Sequence, residues 1–260
     1  MERAWALLRC IAERYQNILE DNFTGIYAHG SLVFGCFRWD KSDIDFLVVT
    51  EREPSLEQKR RMIEALLAWG REAPPKGFEM SVVLAEDCRR AAHPSPYLLH
   101  FSNAHKARYQ QDLTGYCREM HGVDPDLIAH YGVTRAVGRA VCGLPVEDVF
   151  GPVQKADYLD SIRADLAQAE QDVTENPVYV ILNLCRALAY KREGLVLSKA
   201  QGGAWAVEAM PEDAEVIRAA LHAYTTEQAF QMDAARAVDF AARQKARLFQ
   251  PGEKDSADNR

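Results

Sequence analysis

Apolar positions recur at helical spacing at the start of the chain, then shift to short strand-like runs. Leu7, Leu8, Ile11, Tyr15, Ile18 and Leu19 recur three and four apart with charges between them, which predicts a helix over 2–20. Asp21-Asn22-Phe23-Thr24-Gly25 reads as a turn. Ile26 to His29 then reads as a strand, and Asp43-Ile44-Asp45 opens a second apolar run, Phe46 to Val49. The stretch from Leu32 to Ser42 reads as a short helix or loop joining them. Leu56, Met62, Ile63, Leu66 and Leu67 predict a helix over 54–70, broken by Pro74-Pro75-Lys76-Gly77. A third strand follows over 78–84. Its alternation puts Phe78, Met80 and Val82 on one face and Glu79, Ser81 and Val83 on the other.

A further helix is expected over 126–142. Residues 144–153, with two prolines and Gly151, are the expected linker. Beyond it the spacing is helical throughout, over 157–172, 177–191, 214–224 and 228–249, with Gly202-Gly203 as a turn into one more helix. Over 177–191, Val178, Ile181, Leu182, Cys185, Leu188 and Ala189 form an apolar stripe. Tyr179, Asn183, Arg186 and Tyr190 form a polar-aromatic stripe at the same spacing. One stripe packs and the other is available to line a cleft. The pattern predicts an α+β chain. Residues 1–150 form a small mixed sheet flanked by helices, 151–250 a helical bundle, and 251–260 a polar tail expected to be disordered.

Net charge is −7, spread over both halves with no basic block. A nucleic-acid partner would favour a basic surface, so none is expected; a cationic small molecule suits the chain better. Cys10, Cys36, Cys88, Cys117, Cys142 and Cys185 are scattered without a Cys-x-x-Cys pair, which reads as reduced thiols rather than a zinc site or a disulfide framework. Charges run through residues 1–20, and no apolar run approaches the roughly 20 residues needed to span a bilayer. A cytoplasmic monomer without a membrane partner is the expectation.

The candidate chemistry lies in residues 25–49. Gly30-Ser31 closes the first strand, and glycine there lets the backbone approach a ligand closely. The Gly30 and Ser31 amides with the Ser31 hydroxyl suit a nucleotide's phosphates. Asp43 and Asp45, two apart on a strand, project together, with Ile44 turned into the core. Two adjacent carboxylates repel unless a cation lies between them, and oxygen-only ligation suits Mg²⁺. Ser42 reads equally as a phosphate or metal-shell contact and as a local turn cap. Glu79 on the third strand adds the carboxylate that could take a proton. The histidines show no metal-ligand spacing.

A Gly-Ser pair, a spacer of about ten residues and Asp-hydrophobic-Asp resemble the signature of the nucleotidyltransferase superfamily, whose archetype is DNA polymerase beta. Four further segments carry a closer resemblance: Phe150-Gly-Pro-Val153, Val180-Ile-Leu-Asn-Leu-Cys-Arg186, Leu197-Ser-Lys199 and Gly202-Gly-Ala-Trp-Ala206. With these the chain is similar to the aminoglycoside adenylyltransferases that act on streptomycin and spectinomycin. The resemblance implies Mg²⁺ on Asp43 and Asp45, and Glu79 as catalytic base. It implies phosphate contacts from Ser31 and Ser42, and nucleotide contacts from Arg186, Lys199 and Tyr224 in the second domain, with ATP held between the domains. The implied reaction transfers AMP from ATP to an acceptor hydroxyl.

Two positions depart from the family. Ala104 stands where the streptomycin-recognising enzymes carry a tryptophan, and Asn176-Pro177 where they carry acidic residues. Acidic groups that suit a cationic acceptor are Glu79, Asp126, Glu147, Asp172 and Glu175. The acceptor stays open between spectinomycin, another aminocyclitol or aminoglycoside, a different small molecule and a protein hydroxyl. A nucleotide-binding module that has lost catalysis is the alternative from another class.

Overall fold

The stripe on residues 2–20 becomes α1 (Glu2–Leu19), which buries Leu7, Leu8, Ile11, Tyr15, Ile18 and Leu19. The structure is a computed structural model that describes residues 1–226 and 228–250; the expected disordered tail at 251–260 lies outside the described residues. The chain divides into two units, Met1–Ser161 and Ile162–Arg260.

After α1, the first unit continues through β1 (Phe23–Ala28), α2 (Gly30–Val33), β2 (Ile44–Thr50), α3 (Leu56–Ala68), β3 (Phe78–Leu84) and α4 (Ala85–Arg90). It goes on with β4 (Ser95–Tyr97), β5 (Leu99–Phe101), α5 (Lys106–Gln111), α6 (Leu113–Glu119) and β6 (Gly122–Asp124). Next come α7 (Leu127–Val137), β7 (Arg139–Gly143), α8 (Val146–Val149) and α9 (Lys155–Asp165), inside which the division falls. The main sheet has the order β5-β3-β2-β1-β7. Strands β2 and β3 are parallel, joined by the crossover through α3 that parallel pairing requires, and the other neighbours are antiparallel. β4 and β6 pair separately.

Alternation along the strands makes two apolar layers. Ile26, Ala28, Phe46, Val48, Met80 and Val82 pack under α1 and α3 on one face. Tyr27, Leu47, Val49 and Val83 pack with Leu127, Ile128 and Tyr131 of α7 and with Val149 and Phe150 on the other.

The mixed sheet and the helical C-terminal region are as the sequence pattern predicts; several boundaries differ. The chain turns at Glu20–Asn22, so β1 starts at Phe23 within the expected turn. Gly25 belongs to the strand, pairing with Val49 and Gly143, and a Cβ there would press on the Tyr27 hydroxyl and the Cys142 carbonyl of β7. The helix expected over 126–142 ends at Val137, and its last residues pair with β1 as β7. Gly138 makes this possible: any side chain at that point would collide with the Thr134 backbone, and β-branched Val141 suits a strand. Within residues 144–153, expected as the linker, Val149 and Phe150 are buried.

The second unit contains α10 (Ala169–Asp172), α11 (Pro177–Glu193), α12 (Lys199–Ala209), α13 (Ala214–Thr225) and α14 (Ala234–Phe249). The helix expected over 157–172 is interrupted between α9 and α10. α11 is the central element and packs on α12, α13 and α14. Gly202 and Gly203 lie inside α12 rather than in a turn. Ser198 and Gln201 form a capping box that starts the helix before them, and both glycines pack closely on α11, against Arg186 and Leu182. α14 starts later than expected, where Asp233 caps it. Buried Asp213 ties α13 to α14: Arg243 Nη2 donates to its Oδ1 at 2.8 Å and Gln244 Nε2 to its Oδ2 at 2.7 Å.

Asp213→Ala strands the buried Gln244 amide and is expected to lower unfolding stability by about 2–3 kcal/mol in denaturant titrations. A second expectation concerns pH. Burial, then His105, hold His100 at about 4, below its ordinary 6.5. Burial and His130 hold His29 well below that value. Both folded pKa values are depressed for a base, so the folded state binds fewer protons than the unfolded chain. Their stabilisation is complete above pH 6.5 and declines as pH falls toward 4, by up to about 1.4 kcal/mol per pH unit for each group. Denaturant titrations from pH 7.5 to 4.5 check this, and His100→Gln should flatten the slope.

Candidate active site

Parallel, in-register pairing of β2 and β3 sets Asp45 directly opposite Glu79. Asp43 lies just ahead of β2, two residues before Asp45. One oxygen from each of Asp43, Asp45 and Glu79 lies within 4.8 Å of the others, and all three side chains are half-buried. Burial lifts the Glu79 carboxyl to about 6, with Asp43, Asp124 and Asp126 pushing the same way and Lys76 opposing. Hard oxygen donors this close together, with no sulfur or imidazole among them, fit a small divalent cation such as Mg²⁺.

The Gly30-Ser31 turn stands against this cluster. The His29 backbone N–H donates to the Asp45 carbonyl at 3.1 Å, fixing the end of β1 to β2. Gly30 has φ 65°, and a Cβ there would run into the Asp45 carboxylate. Only glycine accepts both conditions without strain. The Ser31 hydroxyl oxygen is buried and has no hydrogen-bond partner among the described residues. Ser42 closes the turn before β2: its Oγ accepts from the Arg38 N–H at 3.0 Å.

Reading the sequence missed two neighbours of the cluster. Asp124 acts on Glu79 together with Asp126, and its Oδ1 accepts from the Asp126 N–H at 2.8 Å. The Asp-Pro-Asp run of residues 124–126 is a turn signature that could have flagged it. The second is His29, fully buried, whose ring centroid lies 4.8 Å from that of His130 on α7. Of the other acidic candidates, Glu147 lines a separate cavity of about 560 Å³ with Arg135 and Arg139. Asp172 and Glu175 are exposed in the second unit. Ala104 is exposed in the first unit, and Asn176-Pro177 form the N-cap and first residue of α11.

Arg186, Lys199 and Tyr224 belong to the second unit. Arg186 lies on α11 where Gly202 of α12 offers no side chain to crowd it. Lys199 opens α12 and holds its ammonium 4.7 Å from the Tyr179 ring centroid. Tyr224 is in the last turn of α13. The fold thus gathers Gly30, Ser31, Asp43, Asp45 and Glu79 in the first unit, and sets Arg186 and Lys199 on neighbouring helices in the second. Among the described residues, no helix is long and apolar enough to cross a membrane.

No curated protein matches the chain in sequence. The crystal structure of spectinomycin adenyltransferase AAD(9) from Enterococcus faecialis, with ATP and spectinomycin, shares the fold. Its TM-score is 0.78 at 19% sequence identity, covering 95% of this chain and 99% of that one. Residues 148–247 match the family model described as aminoglycoside adenylyltransferase, C-terminal domain. Over that stretch, the second unit is similar to the C-terminal domain of the aminoglycoside adenylyltransferases.

Proposed function

We propose that the protein transfers AMP from ATP to a hydroxyl of an aminoglycoside or aminocyclitol, releases pyrophosphate, and thereby confers antibiotic resistance. The observation that carries this reading is the grouping of Asp43, Asp45 and Glu79 on and beside two paired strands, next to the unpartnered Ser31 hydroxyl. The family of the C-terminal domain and a structural neighbour solved with ATP and spectinomycin support it.

Ser31 donates to a phosphate oxygen, which gives its buried hydroxyl the partner that the fold withholds. Gly30 keeps the approach to Asp45 free of a side chain. Asp43 and Asp45 are the residues that would hold Mg²⁺, which supplies positive charge against the triphosphate. Glu79 takes the proton from the acceptor hydroxyl. That oxygen forms a bond to the α-phosphorus, the bond from the α-phosphorus to the bridging oxygen breaks, and pyrophosphate leaves. A carboxyl lifted to about 6 is a stronger proton acceptor than an ordinary glutamate. Arg186, Lys199 and Tyr224 are assigned to the nucleotide, and Ser42 to the turn that positions Asp43 with a secondary phosphate contact. The surplus of carboxylates around Glu79, with Asp124 and Asp126, favours a cationic acceptor. Ala104 and Asn176-Pro177 favour spectinomycin over streptomycin as that acceptor.

Pyrophosphate release from ATP and Mg²⁺ across a panel of aminoglycosides and spectinomycin tests the activity. Turnover is expected with spectinomycin, and no turnover with any member defeats the reading. Glu79→Gln should lower kcat by about 10²–10⁴-fold while ATP binding by calorimetry is retained. An unchanged kcat would remove Glu79 as the base.

A further inference from the structure

The second unit contains a polar side chain that its own fold leaves unsatisfied. Asn183 lies in the middle of α11 and is 3% exposed. Its Oδ1 is buried and has no hydrogen-bond partner among the described residues. A buried amide oxygen without a donor is rare, because its lost hydration is not replaced. Helix packing does not call for one here. Leu182 and Leu184 on either side are fully buried, and the buried polar groups Asp213 and Gln244 near α11 pair with each other, which leaves the Asn183 oxygen without a partner.

The neighbours along the same face are equally unusual for a packing surface. One turn earlier, the Tyr179 hydroxyl donates to Asp165 Oδ1 at 3.0 Å, while its ring carries the Lys199 ammonium at 4.7 Å. One turn later, Arg186 lies where α12 presents Gly202 instead of a side chain. Aromatic ring, unpaired amide and guanidinium therefore follow one another along one face of α11, with the Asp165 carboxylate of α9 bonded to the first of them. This is the polar composition of a small-molecule site.

We propose that Asn183 contacts bound substrate, its Oδ1 accepting a hydrogen bond from an amino or hydroxyl group of the ligand. The assignment rests on the adenylyltransferase reading above. Both substrates of that reaction carry such donors: the exocyclic amine of adenine, and the amino and hydroxyl groups of an aminocyclitol. No bond is made or broken at Asn183; it selects the molecule whose donor completes it.

The test compares wild type with Asn183→Leu, and with Asn183→Ala should the leucine be poorly accommodated. Steady-state kinetics use ATP, inosine triphosphate (which lacks the exocyclic amine) and spectinomycin, alongside thermal unfolding. The Tm of Asn183→Leu should not fall, since an unpaired oxygen leaves a buried position. KM for the substrate that it contacts should rise about tenfold. If adenine is that substrate, the variant loses the preference of wild type for ATP over inosine triphosphate. If the acceptor is, KM for spectinomycin rises and the nucleotide preference stays. Unchanged KM values for both substrates in a folded variant overturn the assignment and leave Asn183 paired with a buried water only. A wild type that turns over no aminocyclitol overturns the activity reading, and this assignment with it.

Discussion

Like charges held side by side across the β2–β3 pair are the constraint around which the first unit is built. Asp43, Asp45 and Glu79 bring oxygens within 4.8 Å of one another. At an effective dielectric of about 20, two full charges at that distance repel by about 3 kcal/mol. Partial protonation of Glu79, lifted to about 6, relieves some of this. The strands stay paired because burial outweighs the rest. Ile44, Phe46, Leu47, Val48 and Val49 are fully buried on β2, as are Met80, Val82 and Val83 on β3. Each such side chain contributes about 1.5–3 kcal/mol. The apolar layers on the two faces of the sheet thus hold the carboxylates where they would not gather by themselves.

Small residues decide how closely other groups approach this framework. Gly30 turns with positive φ beside the Asp45 carboxylate, and Gly25 and Gly138 let β7 join the sheet edge. In the second unit Gly202 lets α12 pack closely on α11 at Arg186. Polar groups follow a parallel rule. Most are satisfied, as with Asp213, Arg243 and Gln244, and unsatisfied ones stand out against that background. Two of these, the Ser31 hydroxyl and the Asn183 amide oxygen, lie on the stretches that carry the charged and aromatic groups.

Local periodicity made α1, α3, β3, α11 and α13 legible, because each buries one continuous stripe or face. The alternation on β3 placed Glu79 on the face opposite Phe78, Met80 and Val82, and spacing alone put Asp43 with Asp45. What stayed hidden depends on contacts between distant segments. Residues 139–143 carry the same apolar residues that a helix would, and only pairing with β1 makes them β7. Gly202-Gly203 looked like a turn because glycine usually breaks helices, but close packing on α11 gives both a place inside α12. The influence of Asp124 on Glu79 and the contact of the His29 and His130 rings join segments far apart in the chain, which no local pattern records.

The proposed function requires the three carboxylates to act as a cation site rather than as a set of solvated charges. Thermal unfolding of wild type and Asp43→Asn, each with and without Mg²⁺, tests it most directly. Asp43→Asn is expected to be the more stable protein without metal, and Mg²⁺ to raise the Tm of wild type but not of the variant. A variant less stable than wild type in metal-free buffer, together with no response of wild type to Mg²⁺, would contradict it.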